Sequence, residues 1–250
     1  MSDGLTELRL ENERLARELA QARAELEDFT YSVSHDLRAS LRHVSAYVQI
    51  IREDLDRPSD AGVVKHLDTV SQSAKQMGRQ IDGLMELARL TRVELQPSPL
   101  DVGVMVRELC AELAPTLDGR ALAWQLASDV PALRGDATLV RQLLSHLLGN
   151  AVKFTAPRSA AVVHVSWQMH DSDRCALTVR DNGVGFNPQY KSKLFHAFQR
   201  LHSPRDFEGL GMGLAHSRKI VERHGGSVWA DGSPDMGCSV SFTLPLAKPT

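Results

Sequence analysis

Between residues 5 and 36, apolar positions recur with a seven-residue period. With Leu5 at position a, the a series runs Leu5, Asn12, Leu19, Leu26, Val33, and the d series Leu8, Leu15, Ala22, Phe29, Asp36. The flanks are rich in Glu and Arg, as on the exposed faces of a coiled coil. Asn12 at an a position suits a parallel two-stranded coil, because two buried amides satisfy each other only when aligned. One amphipathic helix packed on its own domain is the alternative. The strict period ends at Asp36, but helical spacing continues to about Leu55, where DRPSD (56–60) supplies turn formers. Apolar or small residues then return every three or four positions, at Val63, Leu67, Val70, Ala74, Met77, Ile81, Leu84 and Leu87–Ala88. That spacing predicts a second helix from about Gly62 to Arg92. Two long helices and a short turn predict an antiparallel hairpin, and two hairpins make a four-helix bundle in a dimer.

QPSPLD (96–101), with two prolines, reads as a domain boundary. Beyond it the texture changes to strand-like runs at 122–126, 161–167, 175–181, 226–231 and 238–245. Helical stretches interleave them at 101–115, 136–153, 188–199 and 211–224. Mixed in this order, they predict an α/β sandwich of about 150 residues. Three segments follow: 1–28, a coiled-coil helix; 29–95, a helical hairpin; and 96–250, the sandwich. The fold class is α followed by α/β.

Composition narrows the partners. A net charge of −2 in 250 residues gives no global attraction to nucleic acid. No apolar run approaches the ~20 residues that cross a bilayer, and the charged N-terminus lacks a signal-peptide core. Cys110, Cys175 and Cys238 are widely spaced, odd in number and form no CxxC pair, as expected of reduced thiols in a cytoplasmic protein.

Three motifs in the sandwich carry chemistry. In DNGVGF (181–186), Asp181 can accept a hydrogen bond from an exocyclic amine, which adenine has and guanine lacks at that position. Gly183 and Gly185 let backbone approach a flat ligand closely, although DNG is also a strong turn signal. GLGMGL (209–214) opens a helix, so Gly209, Gly211 and Gly213 can leave backbone N–H groups facing an anion; a flexible loop and helix cap is the plainer account. In LLGNAVKFT (147–155), Asn150 and Lys153 project from one helix face. An amide oxygen suits Mg²⁺ and a lysine suits phosphate, while an exposed Asn and a snorkelling Lys fit an ordinary surface helix equally.

Upstream lies FTYSVSHDLRASLR (29–42), with His35 followed at once by Asp36. In this order the motifs resemble those of the sensor histidine kinases of two-component signalling, from about Glu25 to Pro245. SHDLRASL looks like the H box, LLGNAVKFT the N box, and DNGVGF, LFHAF (194–198), GLGMGL and GCSVSF (237–242) the G1, F, G2 and G3 boxes. The HDL form of the H box and FQRLH (198–202) are similar to the phytochrome-type branch. The resemblance implies a dimerisation and histidine phosphotransfer domain at 29–95 and a catalytic ATP-binding domain at 96–250. His35 would be the phosphoacceptor and Asp36 would orient its ring and take its proton. Asn150 would bind Mg²⁺, Asp181 would select adenine, and Gly183 and Gly185 would lie beneath the base. A lid over about Asn187–Leu210 would end in Gly209, Gly211 and Gly213, with Arg200 meeting phosphate. ATP and Mg²⁺ are the implied cofactors. The implied partners are a second copy of the chain, a response-regulator receiver domain, and an upstream sensor domain or protein; neither nucleic acid nor a membrane segment is implied.

Three positions depart from the family pattern. Ser40 stands where a helix-bending proline is usual, and Ala39 where Thr or Asn supports dephosphorylation of the regulator. Ala39 cannot hydrogen-bond an attacking water, so phosphatase activity is expected to be weak. His146 replaces an Asn one turn before Asn150. These departures leave one alternative, a degenerate kinase acting as an ATP-binding dimeric scaffold.

Overall fold

The structure, a computed structural model, describes residues 15, 37–38, 41–42, 44–53, 61–203 and 206–247. Apart from Leu15, the heptad stretch lies outside the described residues, as do His35, Asp36, Ala39, Ser40 and the turn at 56–60. The chain divides at residue 90 into two units, and each is taken separately.

In the N-terminal unit, residues 44–53 are helical and α1 begins at Ala61, running to Arg92. Arg38 pairs with Asp82 and Arg52 with Asp68. Fourteen residues forward on one side correspond to fourteen back on the other, which is the register of an antiparallel hairpin. Along the apolar stripe, Val48, Ala74 and Ile81 are buried. Val44, Tyr47, Ile50, Ile51, Val63, Val70 and Met77 remain exposed. One hairpin therefore covers only part of its own apolar surface.

The second unit starts at Leu90, so the last turn of α1 and the segment 96–101 belong to it. Arg223 donates to the carbonyl oxygens of Leu90 and Val93, satisfying backbone acceptors that a helix end leaves open. The elements are β1 (Ser98–Leu100), α2 (Val102–Leu113), β2 (Leu122–Leu126), β3 (Leu133–Gly135), α3 (Ala137–Phe154), β4 (Ala161–Met169), β5 (Arg174–Asp181), α4 (Gly213–Arg223), β6 (Val228–Ser233) and β7 (Gly237–Pro245). Five strands form a sheet in the order β2-β4-β5-β7-β6, with β2 parallel to β4 and the other neighbours antiparallel. β1 and β3 form a separate antiparallel pair.

Alternation along β4 buries Ala161, Val163 and Val165 while His164 points out, so one sheet face meets the helices. Val140, Leu143, Leu144 and Leu148 of α3, Ile220 and Val221 of α4, and Val102 and Val106 of α2 join Leu177, Phe242 and Leu244 in one buried cluster. Each fully buried side chain of this size contributes roughly 1.5–3 kcal/mol, which holds the helix layer to the sheet. Asp101 caps α2 by accepting from Val104 N at 2.9 Å, and Asp136 caps α3 by accepting from Leu139 N at 3.1 Å. The α/β sandwich is thus as the sequence texture predicts.

Two local expectations are corrected. The helix predicted over 188–199 is a short 3₁₀ stretch, Pro188–Lys193, followed by turns. Asn187 starts it by accepting from Gln189 N, and Phe198 adopts a left-handed backbone at φ 62°, which no helix continues through. The strands β1 and β3, three residues each, were not expected, since such short segments show no period; Pro99 is tolerated because a two-stranded pair is all edge.

Candidate functional site

Asp181 ends β5, between Val163 of β4 and Cys238 of β7. It is 7% exposed, and its Oδ1 accepts from the N–H of Gly183 at 2.8 Å and of Cys238 at 3.3 Å. Burial pushes the carboxyl above the ordinary aspartate value, against the pull of those two donors. The Cys238 thiol beside it is pushed up to about 12 by burial and by the charges of Asp181 and Asp231. The carboxylate thus sits in a low-polarity recess, with one oxygen fixed by the backbone.

The glycines after it are required by the protein's own chain. A Cβ on Gly183 would lie 2.4 Å from the Phe154 carbonyl oxygen. Gly185 has φ +63°, and its Cβ would lie 1.9 Å from the Ser233 carbonyl oxygen. The close approach inferred from the sequence is therefore made by the end of α3 and the β6–β7 turn. Val184 N donates to Phe154 O at 3.2 Å, tying the loop to α3.

Asn150 and Lys153 occupy the C-terminal half of α3, both half-buried. Lys153 Nζ donates to Glu208 O at 3.4 Å and lies 3.5 Å from where a side chain on Gly209 would begin. Its pKa is lowered, first by burial and then by Arg200, with Glu208 opposing. Arg200 itself donates to Phe207 O. Burial and the neighbouring guanidinium both disfavour the charge on Lys153, so an anion there would stabilise it. A Cβ on Gly211 would meet the backbone of Phe198 and Gln199, and one on Gly213, the first residue of α4, would lie 3.5 Å from Nδ1 of His146. His146 and His216 rings are 5.7 Å apart. One face of α3, from His146 through Asn150 to Lys153, thus follows the 208–213 connection. The N-terminus of α4 carries no side-chain cap, which leaves its first N–H groups to other partners.

Lys153, Arg200, Gly209 and Gly211 are therefore gathered in one region. Asp181, Gly183 and Gly185 form a second, joined to the first through Phe154. His35 and Asp36 lie outside the described residues. Four further residues take part that the sequence reading assigned no role. The rings of Phe154, His202 and Phe207 pack mutually at 5.0–5.4 Å, and His202 Nε2 donates to Gly185 O at 2.9 Å. Phe154 and His202 had signals, the first in LLGNAVKFT one helical turn after Asn150 and the second at the end of FQRLH; Phe207 had none. Arg158, which contacts Gly183, was hidden in a segment that reads as an ordinary loop.

The donor set suits a magnesium nucleotide. Among the described residues, no three His, Cys, Asp or Glu side chains cluster to hold a metal by themselves. Mg²⁺ needs few protein ligands when phosphates and waters complete its shell, so one amide oxygen fits. Among the described residues, no helix is long and apolar enough to cross a membrane.

Residues 135–248 match the family model of histidine kinase-, DNA gyrase B- and HSP90-like ATPases, and residues 25–92 match the His kinase A (phospho-acceptor) domain. The phytochrome-like protein Cph1 of Synechocystis sp. is 30% identical over 235 residues, covering 94% of this chain and 31% of Cph1. The methanogenesis regulatory histidine kinase FilI of Methanothrix harundinacea is 32% identical over 228 residues, covering 91% of this chain and 25% of FilI. The chain thus spans about a quarter to a third of these relatives' length. The crystal structure of full-length ShkA in complex with AMPPNP is similar at a TM-score of 0.63 and 26% identity, over 89% of this chain and 46% of ShkA.

Proposed function

Because this chain belongs to the sensor histidine kinases, on their phytochrome-like branch, we propose that it transfers the γ-phosphoryl group of ATP to His35 and then to an aspartate of a response regulator. Residues 1–28 act as the signalling coiled coil, 29–95 as the dimerisation and phosphotransfer domain, and 96–250 as the catalytic domain. The exposed apolar residues of the hairpin support a homodimer, since a single copy leaves Val63, Val70 and Met77 in water. The signal comes from an upstream sensor domain or protein, and the site of action is the cytoplasm.

Asp181 reads the adenine. Its Oδ1 is occupied by two backbone donors, which leaves Oδ2 for the exocyclic amine. Lys153, Arg200 and the N–H groups around Gly209, Gly211 and Gly213 hold the phosphates. Asn150 would hold Mg²⁺, which would supply positive charge to offset that of the phosphates. A neutral His35 nitrogen attacks the γ-phosphorus; the N–P bond forms as the P–O bond to ADP breaks, and Asp36 takes the proton from the other ring nitrogen. Ala39 gives no hydrogen bond to a water attacking the phosphorylated regulator, so phosphatase activity is weak.

The observation that carries this function is the buried, backbone-fixed carboxylate of Asp181, on a loop tied to Phe154 next to Lys153. Incubation with γ-labelled ATP and Mg²⁺ tests it. Acid-labile, alkali-stable label that disappears in His35→Ala is expected. Label that survives in that variant removes His35 as acceptor, and bound nucleotide without label makes the chain a scaffold.

A further inference from the structure

We propose that Arg158 is a positioning residue for adenine recognition, holding the loop after β5 so that Asp181 presents its free oxygen to the base. The proposal rests on Asp181 reading adenine. Arg158 stands just past α3, fixed there by its own N–H, which donates to Thr155 O at 2.9 Å. Its Nη2 donates to Gly183 O at 2.9 Å and to Asp235 O at 2.7 Å, with Asp235 Oδ1 at 3.4 Å. Asp235 N in turn donates to Val184 O at 2.8 Å. Arg158, Gly183, Val184 and Asp235 thereby close a ring of contacts joining the end of α3, the loop after β5 and the β6–β7 turn.

The ring acts on the Gly183 residue from both sides. Arg158 takes its carbonyl, while its N–H donates to Asp181 Oδ1 at 2.8 Å. With that N–H held, the Asp181 carboxylate cannot rotate without giving up a buried hydrogen bond, and Oδ2 stays aimed where an amine would arrive.

The arrangement is costly in ways a solubilising surface arginine would avoid. Arg158 Nε is buried and has no hydrogen-bond partner among the described residues. Asp235 adopts a left-handed backbone at φ 60° to bring its carbonyl and N–H into the ring. The ion pair contributes little, since the Asp235 side chain is 85% exposed. The contacts to two carbonyl oxygens on separate segments carry the effect. Both are made by one terminal nitrogen, Nη2, whose two N–H groups serve the two carbonyl oxygens at the full reach of the arginine side chain.

The test measures, by calorimetry on the full chain with Mg²⁺, the affinity for ADP and for IDP, which has an oxygen where ADP has the amine. The readout is the ADP/IDP preference rather than affinity alone, because a merely structural loss weakens both nucleotides together. Arg158→Ala is expected to lower the preference by about tenfold, the size of one charge-assisted hydrogen bond's influence, with the melting temperature little changed. If Arg158→Ala fails to fold, Arg158→Lys reads the same ratio and is expected to lower it by a smaller factor. A preference equal to that of the parent chain in a folded variant overturns the proposal while leaving Asp181's role intact. A parent chain that does not distinguish ADP from IDP overturns the adenine role of Asp181 and this proposal with it.

Discussion

Replacing Asp181 by Asn separates stability from specificity at this site. Oδ1 is fixed as an acceptor by Gly183 N at 2.8 Å and Cys238 N at 3.3 Å. An Asn side chain keeps both bonds only by placing its carbonyl oxygen there, which turns its NH₂ toward the base. Facing the adenine amine, that NH₂ sets donor against donor. The variant loses a charge-assisted hydrogen bond of about 1.5–3 kcal/mol and leaves the Asn NH₂ and the adenine amine facing each other without an acceptor, at about 1–3 kcal/mol. A combined loss of about 3–4 kcal/mol corresponds to a roughly hundred- to thousandfold weaker Kd for ADP. The same NH₂ faces an acceptor in IDP, so D181N should bind IDP more tightly than ADP. Because the substitution also removes a buried charge, its melting temperature should equal or exceed that of the parent chain. Titration calorimetry with ADP and IDP, beside a thermal melt, measures all three. A folded D181N that binds ADP within about threefold of the parent would refute both the fixed-oxygen geometry and the assignment of Asp181 as base reader.

Other outcomes follow from the same structure. Gly185→Ala places a Cβ 1.9 Å from Ser233 O at a backbone φ of +63°, and should destabilise the catalytic domain by roughly 2 kcal/mol or more in a denaturant melt while abolishing nucleotide binding; near-parent stability would show that the turn yields easily. Asp181 is held above its ordinary pKa, so the folded chain binds more protons than the unfolded chain between that ordinary value and the raised one. Its contribution to stability is therefore present below the unfolded pKa and lost as pH rises through the folded one. The stability advantage of D181N should grow over that interval and be flat on either side, as denaturant melts at a series of pH values will show. Ala39→Thr supplies a hydroxyl where Ala39 has none and should raise hydrolysis of the phosphorylated regulator about tenfold or more, since general positioning of a water is worth that much; an unchanged rate would place the block elsewhere.

The exposed apolar residues of α1 have a different standing from the catalytic unit. Their spacing is helical in the sequence and helical in the structure, and Ala74 and Ile81 are buried within one hairpin. Val63, Val70 and Met77 lie on the same stripe yet remain uncovered, so the period exceeds what one chain buries. Such a surplus is legible only when pattern and burial are compared.

Local chemistry was legible from sequence because it depends on neighbours within a few residues. Period fixes α1 and α3, strand alternation marks β4, β5 and β7, and the three-residue spacing of Asn150 and Lys153 puts them on one face. Residue type and order likewise single out the candidate site residues, an acid before glycines and a lysine after an amide. Tertiary structure decided what depends on segments distant in sequence. Phe198's left-handed turn ended the helix expected over 188–199, and β1 and β3, too short to announce themselves, formed only because each found the other. Gly183 and Gly185 were recognisable as glycines needed for close approach, but only folding brought Phe154 O and Ser233 O to them. Arg158 carries no local mark, because its role depends on Gly183, 25 residues on, and Asp235, 77 residues on. Propensity and period act along the chain, whereas a hydrogen bond between separate elements exists only after the core has set their distance.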